Sequence, residues 1–196
     1  CLGLSVIALG ASILVGSVLP SGSGTSTTGH INHFTVASLL VAVVVMITTP
    51  LQAAGEEYAF RGYLLQAIGS LSKSKWLAIL APATVFALAH GVQNPPLFFD
   101  RFAFGLIAGL IVILVGGLEA GIALHILNNL LAFGVAIALN QLDSTLNVSE
   151  ASWWQLPLTI TQNGVFLVLV LFVARRMGLR NRTAPPVTQA ASQGVS

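Results

Sequence analysis

Charged residues are scarce in this chain. Eight Lys and Arg and six Asp and Glu make up 7% of its 196 residues, whereas hydrophobic residues make up 55%. A soluble domain carries about 25% charged residues. The composition therefore excludes an ordinary soluble protein and indicates a polytopic membrane protein whose immediate surroundings are lipid. The net charge of +2 is small, so we expect no nucleic-acid partner.

Cysteine is almost absent as well. Cys1 is the single cysteine, which excludes an internal disulfide and a cysteine-based zinc site. The HExxH pattern of zinc proteases is also missing. Because the chain begins with Cys rather than Met, we expect a fragment or a processed product.

Six apolar segments are long enough to be candidate membrane spans. They predict an all-α fold, a polytopic membrane helical bundle of about six transmembrane helices, formed by one domain over residues 1–175. A basic cytoplasmic tail over residues 176–196 is expected to be disordered because it is rich in polar residues and proline. The predicted spans cover residues 2–19, 34–54, 76–90, 102–116, 118–139 and 156–174.

The basic residues test this six-span arrangement. Only Arg101 falls on one side of the membrane, and the other seven fall on the opposite side: Arg61, Lys73, Lys75, Arg175, Arg176, Arg180 and Arg182. Basic residues are enriched in cytoplasmic loops. The pattern therefore predicts that both termini are cytoplasmic.

Several polar side chains fall within or beside these apolar segments. Ionisable groups at membrane depth are energetically costly, so a functional role is the first hypothesis for them. The candidate site consists of Glu56, Glu57, Arg61, His90, His125 and Asn129.

Helix geometry makes these positions compatible with one site. Glu57 and Arg61 are four residues apart and share a helix face, so they are expected to form an ion pair. Glu56 then points elsewhere and is free for another role. Glu56 and His90 are equally far along the chain from a basic turn at position 73, so a helical hairpin would place them level.

These residue types suit the hydrolysis of an amide without a covalent intermediate. A carboxylate and an imidazole, Glu56 and His90, can hold and deprotonate a water. A second imidazole and a carboxamide, His125 and Asn129, lie one helical turn apart and can stabilise an oxyanion.

The same residues allow three other interpretations. Glu56, His90 and His125 could instead bind zinc. A proton-coupled carrier could use the buried carboxylate and imidazole as a relay. In a non-catalytic immunity or scaffold protein, the polar groups would hold helices together through hydrogen bonds.

Other residues of the same kinds receive structural interpretations. His30 and His33 lie in a Gly/Ser/Thr-rich loop and are expected to be solvated. Phe86 is expected to pack in the core, and Gln162 and Asn163 in the last span are expected to make helix contacts.

Four motifs in order resemble the CAAX-protease and bacteriocin-processing (CPBP or Abi) family of intramembrane glutamic endopeptidases. They are EEYAFR (56–61), FALAH (86–90), FGLIAGL (104–110) and HILNN (125–129), and together they cover about residues 50–135. The resemblance implies an integral, multi-pass protease of a bacterial-type cell membrane. Its substrate would be a peptide or membrane protein, in CAAX-type processing or in bacteriocin maturation or immunity.

The resemblance also implies a role for each site residue. Glu56 would be the catalytic carboxylate and His90 its partner on the water, with His125 and Asn129 as the oxyanion site. Glu57 and Arg61 would support them. No cofactor is expected, although this family was earlier regarded as metal-dependent and zinc remains the alternative. The resemblance leaves prenylation of the substrate and the oligomeric state open.

Overall fold

The computed structural model describes residues 1–19, 35–179 and 181, and helix is the regular secondary structure throughout these ranges. The predicted loop with His30 and His33 lies outside them, as do Arg180, Arg182 and most of the predicted tail. The helices are α1 (Leu2–Val18), α2 (Val36–Glu57), a π-helical segment (Tyr58–Leu64), α3 (Leu65–Ser72), α4 (Lys75–Ala89), α5 (Pro95–Val115), α6 (Glu119–Ala138), α7 (Leu142–Leu146) and α8 (Gln155–Arg176).

The predicted membrane helical bundle is confirmed. By length and composition, four of the described helical stretches could cross a membrane, and two shorter helices are also apolar. The four are Val36–Ser72, Pro95–Val115, Glu119–Ala138 and Gln155–Arg176, and the two shorter ones are Gly3–Val18 and Lys75–Ala89. The predicted count of about six is therefore an approximation, because two of the six helices are short for a bilayer about 30 Å thick.

Two of the predicted boundaries were wrong. The fourth span was placed at residues 102–116, but α5 begins at Pro95. Asn94 caps this helix by accepting a hydrogen bond from the backbone N–H of Leu97, and proline is well suited to the first helical position. Residues 140–155, between the fifth and sixth predicted spans, also contain the short helix α7.

The first long helix continues through the predicted site without a break. A π-helical segment follows Glu57 directly, so α2, this segment and α3 form one helical stretch up to Ser72. Such π-helical turns are rare and occur frequently at functional sites. Lys73 then adopts a left-handed conformation and Ser74 caps α4, which confirms the predicted turn.

The helices that carry the site pack against one another. The α2 helix packs on α6, and α5 lies between α4 and α8, while α1 packs on α8. Their shared core is largely aromatic and aliphatic, with Phe86, Phe104, Leu124 and Phe166 among its buried members. This packing fixes the positions of the polar residues described below.

The closest approach of α4 and α5 depends on Gly105. A Cβ atom at this position would lie 3.0 Å from both the Cα and the Cβ of Ala83. The separation is shorter than ordinary van der Waals contact, and the backbone of Ala83 could yield only by a shift of the helix. Small residues are favoured at such helix–helix contacts in membranes for this reason.

We predict that Gly105→Ala destabilises the protein by about 1–3 kcal/mol, the usual cost of overpacking a core. Thermal unfolding in detergent would measure the change. Gly134→Ala in α6 is the matched control, because a Cβ there meets nothing within 4 Å. Helix propensity alone would make both variants slightly more stable. A melting temperature for Gly105→Ala equal to or above that of the wild type would contradict the prediction.

Candidate active site

The carboxylate of Glu57 is the centre of the site. Its side chain is fully buried, and its Oε1 atom accepts two hydrogen bonds. One comes from Arg61 Nη1 at 3.0 Å and the other from His125 Nδ1 at 2.9 Å. The ion pair predicted from the four-residue spacing is therefore present, and it is extended to α6 by a histidine 68 residues further along the chain.

Arg61 is buried inside the bundle, with 1% of its surface exposed. Besides Glu57, its Nη2 atom donates to the backbone carbonyl of Gly105 at 3.4 Å. Its guanidinium carbon lies 4.6 Å from the centre of the Phe86 ring, a cation–π distance. A carboxylate, a carbonyl dipole and an aromatic face together compensate the charge that burial would otherwise make costly.

The second oxygen of Glu57 lies against Gly121 of α6. A Cβ atom at this glycine would be 3.3 Å from Glu57 Oε2, so any larger residue would crowd the carboxylate. This glycine was not among the residues predicted from the sequence. Glycine is common in membrane helices, and only the observed approach of α2 and α6 distinguishes Gly121 from the others.

Glu56 has a different environment from its neighbour. Its side chain is 25% exposed, and its Oε1 atom accepts a hydrogen bond from Gln52 Nε2 at 2.9 Å. Its Oε2 atom is buried and has no hydrogen-bond partner in the described part of the chain. The imidazole of His125 is nearby, with its Nε2 atom 3.7 Å from Oε2. The hydrogen bond from Gln52 thus fixes Oε1 of Glu56, whereas Oε2 is available for another hydrogen bond.

His90 lies immediately after the last residue of α4 and is the most exposed of the candidate site residues. Its Nδ1 atom is 2.7 Å from the carbonyl oxygen of Phe86. A carbonyl can only accept, so Nδ1 carries the proton and Nε2 of a neutral ring keeps its lone pair. Partial burial of the ring lowers the pKa of His90 below its ordinary value, which favours this neutral form.

Phe86 lies between the two histidines. Its ring centre is 4.7 Å from that of His90 and 5.9 Å from that of His125. Phe104 contacts the other side of His125, with 4.8 Å between ring centres. The prediction that Phe86 packs in the core is correct. Its position four residues before His90 was the available signal that it also packs against the site.

The two asparagines of α6 face different directions, as their helical spacing predicts. Asn128 donates to Asn163 Oδ1 at 3.0 Å and accepts from Gln162 Nε2 at 2.7 Å, so both residues of α8 make the predicted helix contacts. Asn129 is half-buried, and among the described residues its side chain has no hydrogen-bond partner. Its carboxamide is therefore available to a ligand.

The zinc ligands proposed from the sequence, Glu56, His90 and His125, do not form a preformed cluster. Within residues 1–19, 35–179 and 181, no three His, Cys, Asp or Glu side chains are grouped closely enough to hold a metal ion.

The arrangement combines a rigid interior with a more open edge. Glu57, Arg61 and His125 are buried and paired with one another. Glu56 and His90 lie at the more exposed side, and electrostatic interactions link His90 to both Glu56 and His125. Glu56 thus offers a free carboxylate oxygen and His90 a neutral imidazole nitrogen, and the unpaired carboxamide of Asn129 lies one helical turn after His125 on α6. These groups suit the activation of a water molecule.

Known proteins are similar to this chain over the same region. Residues 35–131 match a family described as type II CAAX prenyl endopeptidase Rce1-like. An uncharacterized protein of Bacillus subtilis (strain 168), YyaK, is 27% identical over 150 residues, which cover 70% of this chain and 49% of that protein. The chain thus spans about half the length of this curated relative. No solved structure matches the chain significantly. Every candidate site residue thus lies within the stretch that is similar to the Rce1-like family of CAAX prenyl endopeptidases.

Proposed function

We propose that the chain is an intramembrane endopeptidase that cleaves a peptide bond with a water molecule activated by Glu56 and His90. One observation carries the proposal: two adjacent carboxylates have opposite environments. Glu57 is fully buried and its Oε1 is bonded to Arg61 and His125, whereas Glu56 is 25% exposed and its Oε1 is bonded to the neutral Gln52. Oε2 of each glutamate has no hydrogen-bond partner among the described residues, but only Glu56 belongs to the partly exposed edge of the site. A glutamate with only a structural role would be expected to be buried and paired as Glu57 is.

In the proposed first step, Glu56 Oε2 removes a proton from the water while its oxygen attacks the carbonyl carbon of the substrate. His90 Nε2 accepts a hydrogen bond from the same water, since its Nδ1 proton is held by the Phe86 carbonyl. Two acceptors fix the orientation of the attacking lone pair. General base catalysis of this kind typically contributes about 10²–10⁴-fold.

The attack converts the substrate carbonyl oxygen into an oxyanion. His125 and Asn129 would donate hydrogen bonds to it from one face of α6. This role requires a proton on His125 Nε2 in addition to the one that Nδ1 donates to Glu57 Oε1.

The proton on Glu56 then passes to the nitrogen of the scissile bond. The carbon–nitrogen bond breaks, the new amine leaves, and the carbonyl re-forms as a carboxylic acid that carries the oxygen of the water. Glu56 returns to its ionised form. The same residue thus acts first as general base and then as general acid, which conserves protons over the cycle.

The substrate class follows from the family. We propose a membrane-associated protein or peptide of the CAAX type, in which the reacting bond lies near a lipid-modified cysteine at the C-terminus. Bacteriocin maturation or immunity is a second setting for the same chemistry. We expect no cofactor, with zinc held by Glu56, His90 and His125 as the alternative.

We predict that Glu56→Gln lowers cleavage of a membrane-peptide library at least about 100-fold, because it keeps the shape of the side chain and removes the base. His90→Ala should have a similar effect. Glu119→Gln is the matched control, since Glu119 is exposed at the start of α6 and outside the site. Mass spectrometry of the products would measure the rates. Cleavage by Glu56→Gln at a rate near that of the wild type would refute the mechanism.

The same assay tests the zinc alternative. With a zinc chelator present, we expect the wild-type rate to stay within about twofold, because no step of the proposed mechanism uses a metal. A loss of activity that added zinc restores would instead assign Glu56, His90 and His125 to metal binding.

We predict that the buried pair of Glu57 and Arg61, unlike Glu56, is required for the stability of the protein. Removing one charge of a buried ion pair leaves the other uncompensated and costs about 3–5 kcal/mol. Arg61→Gln and Glu57→Gln should therefore each lower the melting temperature strongly, whereas Glu56→Gln should change it little.

The double variant is the internal control for this pair. Combining Glu57→Gln with Arg61→Gln removes both charges, so its loss of stability should be clearly smaller than the sum of the single losses. Additive losses, or a Glu56→Gln variant as unstable as Glu57→Gln, would show that the two carboxylates do not differ in role. A stability loss in Glu56→Gln without any wild-type cleavage would favour the scaffold interpretation.

A further inference from the structure

Arg101 is a positive charge that forms no salt bridge. It lies in the second turn of α5 and is half-buried. All six acidic side chains belong to the described residues, and none of them forms a salt bridge with Arg101. The adjacent Asp100 interacts with it electrostatically without forming a salt bridge. An unpaired, half-buried guanidinium in a membrane protein is costly and therefore indicates an anion that binds there.

The guanidinium is held in place by a neutral side chain. Arg101 Nη1 donates to Gln93 Oε1 at 2.6 Å, and Gln93 Nε2 donates to the carbonyl oxygen of Ala87, also at 2.6 Å. Ala87 belongs to the last turn of α4, three residues before His90. Gln93 thus fixes Arg101 near the exposed edge of the site. The other guanidinium nitrogens of Arg101 have no hydrogen-bond partner within the described part of the chain.

We infer that Arg101, oriented by Gln93, binds the free C-terminal carboxylate of the peptide substrate and so selects bonds close to a C-terminus. A guanidinium with unused N–H groups matches the planar geometry of a carboxylate. The inference rests on the proposed function, because it is the endopeptidase reaction that brings a peptide to His90. Arg101 acts here as a specificity-determining residue and does not touch the reacting bond.

The electrostatic effect of Arg101 on His90 is consistent with a position of Arg101 near the site. The positive charge of Arg101 is close enough to disfavour protonation of His90. A carboxylate bound at Arg101 would therefore lie close to His90. The bond that is cleaved would then lie at a short and fixed distance from the C-terminus of the substrate.

A purely structural role is the competing explanation. Through Gln93, Arg101 could simply stabilise the C-terminal end of α4, where positive charge is favourable. That role predicts the same loss for every substrate. Recognition of a carboxylate predicts a loss confined to substrates that have one, so paired substrates separate the two explanations.

The test uses a dansylated farnesyl tetrapeptide of the C-a-a-X pattern, prepared with a free C-terminal carboxylate and as the C-terminal amide. We expect wild-type kcat/KM to be about 10- to 100-fold higher for the acid, in keeping with one charge-assisted hydrogen-bonded pair. Arg101→Gln should reduce this ratio to about one, mainly by lowering the value for the acid. Arg101→Lys should keep part of the preference. Lys75→Gln, which removes a positive charge at the opposite end of α4, should leave the ratio unchanged.

Two results would overturn the inference. The first is an equal loss for acid and amide in Arg101→Gln, which would assign Arg101 a structural role. The second is a wild-type acid-to-amide ratio near one. If that ratio is near one and Arg101→Gln changes activity only in vesicles that contain phosphatidylglycerol, the anion bound at Arg101 is a lipid phosphate.

Binding measurements separate this inference from the proposed function. Fluorescence anisotropy of the same two peptides with Glu56→Gln reports affinity without cleavage, and the acid should bind about 10-fold or more tightly. The preference should vanish when Arg101→Gln is added. If the wild type cleaves neither peptide but this binding preference is present, the proposed function fails and the inference for Arg101 stands. Equal binding of acid and amide would overturn the inference even if cleavage occurs.

Discussion

The site depends on a single carboxylate oxygen, Oε1 of Glu57, which joins the end of α2 to the π-helical segment and to α6. It accepts from Arg61 and from His125, and Arg61 in turn contacts the backbone of α5. In a membrane the hydrophobic effect does not hold helices together, so packing and polar contacts must do so. One buried ion pair thus fixes the relative positions of three helices and the orientation of one proposed oxyanion donor.

Helical geometry explains how two adjacent glutamates acquire different roles. Consecutive residues differ by about 100° around a helix, so Glu56 cannot share the environment of Glu57. Glu57 faces α6 at a point where Gly121 leaves room for a carboxylate. Glu56 is partly exposed, and its Oε1 accepts a hydrogen bond from the neutral Gln52. A buried ion pair and a partly exposed carboxylate held by an amide thus follow from the same two-residue sequence.

Sequence reasoning could predict the features that depend on short spacing. The helices, the Glu57–Arg61 pair and the divergence of Asn128 from Asn129 all follow from hydrophobicity and from the helical period. The contact between His125 and Glu57 could not be predicted in this way, because it depends on how α2 and α6 cross. The same holds for Gly121. The early start of α5 has a local signal, Asn94 followed by Pro95, which suit the cap and the first position of a helix.

The position of Arg101 is energetically unfavourable for a positive charge that no salt bridge compensates. Of the eight basic residues, Arg61 is paired with Glu57 inside the bundle. Six others fall on one predicted side of the membrane, where they can support topology. Arg101 falls on the other side, is half-buried, and is held by an amide rather than a carboxylate. Neither topology nor an internal ion pair accounts for it. A charge that stabilises neither the orientation nor the fold by pairing is best explained by a ligand that brings the opposite charge, and a peptide C-terminus brings it to the edge where Glu56 and His90 lie.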